Sequence, residues 1–540
     1  MPTNNKTKAK WTIMIYMAAD DDTSLNAAIE FLGELEELSP ALVDKKNAGK
    51  VNILLQAYMD WETEKGAQPN FEARRFRIQP QFMLHPERFK SKTILMGNPS
   101  ELSRFIKWCK TNYKAEKYML LLWGHGTGSG LFSNELQNAH ARLLKDAPDF
   151  TITDLSTGRQ VKIGDILTPG SPYFNNLGNE ARFRITYTEN NLPVTDIVTA
   201  HKEWSPIFRN EPKYILEFSN PALQEKLRPY SESKSNLDAL IGRELNKSLE
   251  RSFGRRGKLD LLVILGCCMQ MVEFGYEIRK QCRFYVSSEE LMFFEGYNYQ
   301  DTIADLIDKP GTSPRDLGKQ FVKQTPEKKD YNEALRDLMA ISCVDLGKID
   351  KIERGLNDIA KHLFDNFEKL NDVIRDTRRQ CSHFGENSFR SSFIDVVWFL
   401  NRLNVNLAKK RLNKGLRRKI KSIQGKLERD YIIEEYIGDR KKPKPKQQRS
   451  MGGHGVAIYF PSSERDHLDD ESRGKFFNRK EKAFVNTFSE NNHWNKMIFK
   501  YMEKFPGERR VTLLEFPDYF RIMNLLDERA RLLEAAEEYL

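Results

Sequence analysis

The stretch LDLLVILGCCMQMVEFGYEIRK, residues 259–280, decides the fold of this chain of 540 residues. It opens with an apolar run that reaches Leu265, stops at a glycine, and continues with the adjacent cysteines Cys267 and Cys268. An apolar run without alternation predicts a strand that is covered on both faces, as in a parallel sheet between helices. Helical spacing follows from about residue 271. The stretch therefore predicts a strand, a loop and a helix, with two thiols in the loop.

The same alternation of apolar strands and amphipathic helices runs through the first 300 residues. Strands alternating with helices, each strand apolar on both faces, are typical of an α/β sandwich with a mostly parallel central sheet. The predicted strands are WTIMIYMAA (11–19), VNILLQA (51–57), ARRFRI (73–78), YMLLLWGHG (118–126) and RFYVSS (283–288), and the helices between them include SLNAAIEFLGELEEL (24–38) and NPSELSRFIKWCK (98–110).

The chain is too long for one hydrophobic core, so we expect several domains or subdomains. Lysines with two prolines mark an exposed linker, and Gly, Pro and Asn among short alternating pieces mark an insertion. We predict an α/β domain at 1–300 with an insertion at 138–233, a helical region at 301–437, a basic linker at 438–450, a C-terminal part of the core at 451–505 with a strand at 455–461, and a helical tail at 506–540.

The composition predicts a globular protein of a reducing compartment. Hydrophobic residues make up 39% and charged residues 30% of the chain, and the longest apolar runs are far shorter than a membrane span. The six cysteines are scattered, and the N-terminus has no signal-peptide pattern. We therefore expect a cytoplasmic protein without a membrane partner. The net charge of +10 and basic runs such as 417–421 are typical of solvated faces, so a nucleic-acid partner is not expected.

Two predicted strands end in glycine-flanked loops that carry reactive side chains. One ends in WGHGTG, which contains His125, and the other in LGCC, which contains Cys267. Ligands of a parallel sheet bind beyond the carboxyl ends of its strands, and a thiol beside an imidazole is the arrangement of cysteine hydrolases. The backbone N–H groups of Gly126 and Cys267 would stabilise an oxyanion, at roughly 3 kcal/mol for each donor. Gly124 and Gly126 would let the backbone approach a substrate closely.

The pattern of residues alone leaves a structural alternative open. A single cysteine at a strand end is usually a small hydrophobic core residue, and a histidine in a glycine-rich loop is more often structural than catalytic. The occurrence of both at the ends of core strands favours catalysis without excluding the alternative.

The chain resembles the clostripain family of cysteine peptidases, in the clan that also contains caspases, legumain and gingipains. The resemblance covers residues 11–136 and 235–505 and is most specific in the histidine and cysteine segments. The segments that carry it are WTIMIYMAADDD (11–22), YMLLLWGHGTG (118–128), LDLLVILGCCMQMVEFGYEIR (259–279), VSSEELMFFEGYNY (286–299), ISCVDLGKIDKI (341–352), SFIDVVWFLNRL (392–403) and GVAIYFP (455–461).

The resemblance implies a caspase-like fold and a Cys267–His125 dyad that hydrolyses peptide bonds. Cys267 follows a small residue and precedes Met269 by two positions, as the family nucleophile does, while Cys268 would pack under the loop. The family pairs two acidic side chains in a pocket for Arg or Lys. Leu265 stands in one of these positions and Glu295 in the other, so an altered pocket is the alternative to a basic preference.

The resemblance also implies regulation. Family members are often activated by a cut upstream of the nucleophile strand, where LRPYSESKSNLD (227–238) offers Arg228 and Lys234, although an ordinary exposed loop is the alternative. We expect no metal site and no required cofactor. Calcium stays an option, because some relatives use it, although the acidic run 20–22 lacks the spacing of an EF-hand loop.

The expected partners are a protein or peptide substrate and, optionally, a regulatory protein. Two other functions remain open: a catalytically weak relative that acts as a regulatory protein-binding module, and a nucleic-acid binder.

Overall fold

The computed structural model describes the strands and helices of the predicted core and parts of the insertion. The described residues are 8–19, 22–38, 41–42, 49–61, 71–79, 82–91, 96–126, 130–131, 150–155, 158–161, 180–189, 192–204, 212–218, 240–381, 384, 392–438, 453–462, 477–478, 483–484 and 487–505. The predicted linker after Gly438 and the predicted tail at 506–540 lie outside these residues.

The strands, numbered along the chain, are β1 Ala9–Ala19, β2 Val51–Asp60, β3 Phe71–Gln79, β4 Phe82–Ser91, β5 Ala115–Trp123, β6 Gly130–Leu131, β7 Phe150–Asp154, β8 Gln160–Val161, β9 Glu180–Glu189, β10 Leu192–Trp204, β11 Pro212–Phe218, β12 Leu240–Ile241, β13 Leu259–Leu265, β14 Cys282–Ser288, β15 Ala340–Asp345, β16 Phe393–Asp395, β17 Ile432–Ile437, β18 Ala457–Tyr459, β19 Phe477–Asn478 and β20 Ala483–Phe484.

The α-helices, numbered in the same way, are α1 Asp22–Glu37, α2 Pro99–Asn112, α3 Gly242–Phe253, α4 Val272–Ile278, α5 Tyr299–Asp308, α6 Pro314–Gln324, α7 Glu333–Arg336, α8 Ile349–Asp365, α9 Phe367–Arg379, α10 Val396–Lys409, α11 Lys414–Lys426, α12 Thr487–Asn491 and α13 His493–Lys504.

A central sheet of nine strands organises the main unit, in the order β17-β15-β14-β13-β5-β1-β2-β3-β4. Its middle strands, β14, β13, β5, β1 and β2, are parallel to one another. The strands at both edges pair antiparallel. The predicted fold class, an α/β sandwich around a largely parallel sheet, is confirmed, and the antiparallel edges add a detail that the apolar runs did not predict.

Both faces of the sheet are apolar because each middle strand supplies two separate cores. In β5, Leu120 and Leu122 belong to the core on one face, whereas Met119, Leu121 and Trp123 belong to the core on the other. Successive side chains of a strand point to opposite faces, so a strand between two helical layers is apolar at most positions. This arrangement explains the nearly continuous apolar runs that identified the strands.

Residues 301–437 are mainly helical but also contain two strands of the central sheet. β15 pairs with β14, and β17 pairs with β15, both antiparallel. Helices α8, α9, α10 and α11 contribute side chains to one of the two cores of the same sheet. The helical periodicity of this region did not reveal the two strands, which join the edge of the sheet.

The chain divides into two compact units. The first contains Met1–Ser133 and Ala239–Arg509, and the second contains Asn134–Asp238 and Arg510–Leu540. Within the second unit, the described strands form an antiparallel sheet in the order β11-β10-β9-β7-β8. In the described part of the chain, no helix combines the length and apolar composition that a bilayer crossing requires.

Candidate active site

The two candidate loops begin side by side at the carboxyl edge of the central sheet. β5 and β13 pair in parallel, with Trp123 opposite Leu265 at the end of the ladder. Just beyond it, the N–H of Gly124 donates to the carbonyl of Leu265 at 3.2 Å. The loops that carry His125 and Cys267 therefore leave the sheet from neighbouring positions.

The two loops touch at Gly126, which is buried. A Cβ on Gly126 would lie 2.7 Å from the carbonyl oxygen of Cys267, 2.8 Å from its nitrogen and 2.8 Å from Cγ of Met269. No side chain fits such a gap, because real Cβ atoms do not approach the backbone so closely. The glycine thus permits the loop of His125 to lie directly against the loop of Cys267, a contact different from the substrate approach that we expected for it.

The thiol of Cys267 is partly buried and lies against the backbone of Met292. The Met292 N–H donates to Sγ at 3.5 Å, and the Met292 carbonyl oxygen is 3.7 Å from the same sulfur. The N–H can donate to the sulfur and the carbonyl can accept from the thiol, so the backbone of Met292 holds Sγ in place in either protonation state. The loop that follows β14 therefore completes the surroundings of the candidate nucleophile.

His125 is also partly buried and meets the same loop through Phe294. The two rings are 4.7 Å apart at 86°, an edge-to-face contact. The ring of Phe294 also lies 5.2 Å from that of Trp123, the last residue of β5. Aromatic contacts of this kind contribute roughly 1 kcal/mol and restrict ring orientation. Phe294 thereby limits the positions that the imidazole adopts.

Cys268 turns the chain immediately after the candidate nucleophile. Its φ of 58° lies in the left-handed region, which is unusual for a residue with a side chain. Its side chain is buried in the core, and its N–H donates to the carbonyl of Glu290 at 3.0 Å. Such a conformation costs of order 1 kcal/mol or more and persists only where the surroundings fix it. Burial and the hydrogen bond supply that constraint here.

The two residues that we assigned to the specificity pocket have different surroundings. Leu265 is buried in the sheet core, whereas Glu295 is partly buried in the loop after β14. The Glu295 carbonyl accepts a hydrogen bond from Nζ of Lys328 at 2.6 Å, and the Gly296 carbonyl accepts one from the hydroxyl of Tyr331 at 2.5 Å. These two donors hold the backbone of the turn that presents Glu295.

Several predicted residues lie outside the described part of the chain. Arg228 and Lys234, the predicted processing positions, are among them, as are Asp20 and Asp21 of the acidic run. Within the described residues, no group of three or more His, Cys, Asp or Glu side chains is arranged to hold a metal ion.

Sequence reasoning missed the part played by Met292 and Phe294. Both stand in the segment that carried the family resemblance, yet neither residue type signals chemistry by itself. Their contacts join residues far apart in the chain, which neither spacing nor periodicity encodes.

The order of the sheet and the Cys and His loops at one edge define a caspase-like α/β protein. The profile of the clostripain family matches residues 15–141 and 220–502, well over half of the chain. The chain therefore belongs to the clostripain family, as the sequence resemblance predicted.

The match to an individual relative covers a smaller part of the chain than the match to the family. Clostripain from Hathewaya histolytica is 29% identical over 149 residues, which make up 25% of this chain and 27% of that protein. The matched segment thus spans about a quarter of that relative.

Two solved structures are similar over more of their length. An inactive zymogen C11 protease from Parabacteroides distasonis is 13% identical, with 92% of this chain and 99% of that one covered and a TM-score of 0.48. A secreted C11 cysteine protease from Bacteroides thetaiotaomicron, in complex with an irreversible peptide inhibitor, is 13% identical, with 91% and 99% covered and a TM-score of 0.44. Likeness of this degree adds nothing to the assignment that the family profile makes.

Gly126→Ala is expected to separate the two loops, because the added methyl group would overlap the backbone of Cys267. We expect a loss of about 1–3 kcal/mol in unfolding free energy. Displacement of the loops by about 1 Å should also slow alkylation of Cys267 by a peptidyl chloromethyl ketone about a hundredfold. Urea denaturation and labelling kinetics measure the two effects.

The matched control is Gly33→Ala in α1, where an added Cβ meets nothing within 4 Å. It should leave labelling unchanged and stabilise the protein by up to about 1 kcal/mol. Equal behaviour of the two variants would contradict the close contact at Gly126.

Proposed function

We propose that this protein is a cysteine endopeptidase in which Cys267 is the nucleophile and His125 the general acid and base. The observation that carries the proposal is the meeting of the two loops, where a residue beside His125 touches the backbone of Cys267. Membership of the clostripain family supports the same reaction class.

In the proposed reaction, the thiolate of Cys267 attacks the carbonyl carbon of the scissile peptide bond. The N–H groups of Gly126 and Cys267 would stabilise the oxyanion, and His125 would protonate the leaving amine. The acyl-enzyme that remains is then hydrolysed by a water molecule whose proton passes to His125. The Met292 N–H would stabilise sulfur as a thiolate before attack and after its release.

A second candidate is a catalytically weak family member that binds proteins. It is favoured by Leu265, an apolar and buried residue where the family resemblance implies an acidic one. A protein of this kind would keep the fold and the loops but would not acylate Cys267.

The reaction requires a peptide or protein substrate and, as proposed, no cofactor. Calcium and a regulatory protein partner stay predictions. Comparing hydrolysis with added calcium and with a chelator would test the first of them.

Wild-type protein should react covalently with a peptidyl acyloxymethyl ketone at Cys267, because the dyad supplies both the thiolate and the proton donor. Cys267→Ala should abolish labelling, and His125→Ala should slow it by about 10²–10⁴-fold, the usual contribution of general acid–base catalysis. Mass mapping of the adduct measures the outcome.

Cys268→Ala is the matched control and should retain labelling, because Cys268 is buried. An adduct at Cys268 would instead identify Cys268 as the nucleophile and Cys267 as the packed residue. Absence of any adduct on a folded wild-type protein would favour the binding module.

Glu295 would select Arg or Lys at the residue before the cut, since its carboxylate can pair with a guanidinium or ammonium group. Glu295→Gln should then reduce kcat/KM for such substrates about 10–100-fold, the range of one charged hydrogen bond. A panel of fluorogenic peptides differing only at this residue measures the change.

The exposed Glu333→Gln in α7 is the matched control and should leave the preference unchanged. Preferential cleavage after Asp or an apolar residue, or indifference to Glu295→Gln, would contradict the basic pocket.

Self-activation by a cut after Arg228 or Lys234 completes the proposal. Wild-type protein should then contain fragments that begin after one of these residues, and Cys267→Ala should contain none. Intact-mass analysis of both preparations tests this. Equal processing of the two proteins would assign the cut to another protease.

A further inference from the structure

The turn at 288–290 holds the nucleophile loop through its backbone. The N–H of Gln270 donates to the carbonyl of Ser288 at 2.8 Å, and that of Cys268 donates to the carbonyl of Glu290 at 3.0 Å. Glu289 stands between these two acceptors. A displacement of Glu289 would therefore also displace Cys268 and Gln270, which follow Cys267.

The side chain of Glu289 is fully buried and only partly satisfied. Oε1 accepts a hydrogen bond from the N–H of Gly455 at 2.9 Å. Oε2 has no donor among the described residues. Asp395 accepts from the N–H of His454, the residue before Gly455, so the two carboxyl groups lie against successive backbone N–H groups. Two carboxyl groups in contact away from water are stable only when they share a proton.

Asp395 is surrounded by donors, in contrast to Glu289. Its Oδ1 accepts from the N–H of Trp398 at 2.6 Å and lies 3.2 Å from the His454 ring Nδ1, while Oδ2 accepts from the N–H of His454 at 2.7 Å. Both Asp395 oxygens therefore already have a donor, whereas Oε2 of Glu289 has none among the described residues. The shared proton therefore belongs to Glu289, which donates it to Asp395.

The charges around the pair favour the same state. Burial raises the pKa of Glu289 well above its usual range, and the negative charge of Asp395 raises it further. Among the described residues, the other titratable groups near the pair are Glu435 of β17, His454 and the buried thiol of Cys381. Burial raises the pKa of Glu435 to about 7, although the nearby His454 opposes that shift.

A second chain of bonds ties the segment at 453–457 to the nucleophile loop. The hydroxyl of Ser342 donates to the carbonyl of Gly455 at 2.6 Å and accepts from Nε2 of Gln270 at 3.0 Å. The N–H of Ala457 donates to the carbonyl of Gln270 at 2.9 Å. Gly455 is thus held on one side by Glu289 and on the other by a bridge to Gln270.

We infer that Glu289 and Asp395 are positioning residues for Cys267: one proton shared between their carboxyl groups lets the two acids stay side by side against His454 and Gly455, and loss of that proton drives them apart and displaces the 288–290 turn that holds the loop of Cys267. The activity then has an alkaline limit that this pair sets, separately from the titration of Cys267 and His125. The activity readout rests on the proposed peptidase function, whereas the shared proton itself does not.

Glu289→Gln removes the ionisable proton of the side chain but keeps its hydrogen bonds. A glutamine side chain can accept from the Gly455 N–H through its oxygen and donate to Asp395 through its nitrogen, as the protonated acid does. It cannot ionise. The substitution therefore retains the pairing of the two side chains and removes its pH dependence.

The experiment compares the pH profiles of kcat and KM, and of acyloxymethyl ketone labelling, for wild type and Glu289→Gln. We expect neutral-pH values within about twofold of each other, since the bonds are retained. The alkaline fall in kcat should move up by about one pH unit or more in the variant, because the ionisable group is gone.

Glu273→Gln is the matched control. Burial raises the pKa of Glu273 to about 7, and its Oε1 accepts the N–H of Tyr459 at 2.8 Å, but Glu273 lies outside the 288–290 turn. This variant should keep the wild-type alkaline limit.

Unfolding measurements on a Cys267→Ala background provide a readout that needs no activity. Because the pKa of Glu289 is higher in the folded protein than in the unfolded chain, its contribution to stability is present at low pH and is lost as pH rises through the folded value. Above about pH 4.3, the folding equilibrium constant of the Glu289→Gln protein should rise relative to that of the protein with Glu289. The expected rise is up to about tenfold for each pH unit.

The inference is wrong if wild type and Glu289→Gln lose kcat at the same alkaline pH and the difference between their unfolding free energies does not change with pH. If wild type neither cleaves peptides nor takes a label, the proposed function fails, and the unfolding series alone decides whether the proton is shared. If Glu289→Gln does not fold, Asp395→Asn removes the facing charge instead, and an unchanged alkaline limit in that variant would equally overturn the inference.

Discussion

The structure depends on the main-chain pairing of β5 with β13. Parallel register brings the carboxyl ends of both strands to one edge, so a histidine loop and a cysteine loop that are distant in sequence start from adjacent positions. The apolar cores on both faces keep the two strands in place, since a shift by one residue would move each side chain into the other core, where it would not fit its neighbours. Gly126, which has no side chain, then lets the two loops touch. Chemistry at this edge is thus a consequence of strand register.

The sequence was informative where local pattern and burial coincide. The nearly continuous apolar runs predicted β1, β2, β5 and β13, because a strand between two helical layers is apolar at most positions. The glycine-flanked histidine and cysteine identified the ends that carry reactive groups, and the family resemblance ranked Cys267 above Cys268. In the structure, Cys267 is partly exposed and Cys268 is buried.

The rest depends on contacts between distant residues that no local pattern encodes. β15 and β17 are short strands in a helical region and join the sheet only through their neighbours. Phe294 against His125 and Met292 against Cys267 involve ordinary apolar residues. Glu289 and Asp395, from separate segments, accept from the successive N–H groups of Gly455 and His454, and a sequence gives no reason to expect two acids so placed, which repel unless they share a proton.

The left-handed backbone at Cys268 also bears on oxidative damage. The side chain of Cys268 lies in the core, and every cysteine other than Cys267 is buried. A peroxide that reaches Cys267 would form a sulfenic acid with no accessible thiol of the same chain to resolve it as a disulfide. Recovery would then depend on small thiols from solution, such as glutathione, and prolonged exposure would carry the sulfur to irreversible acids.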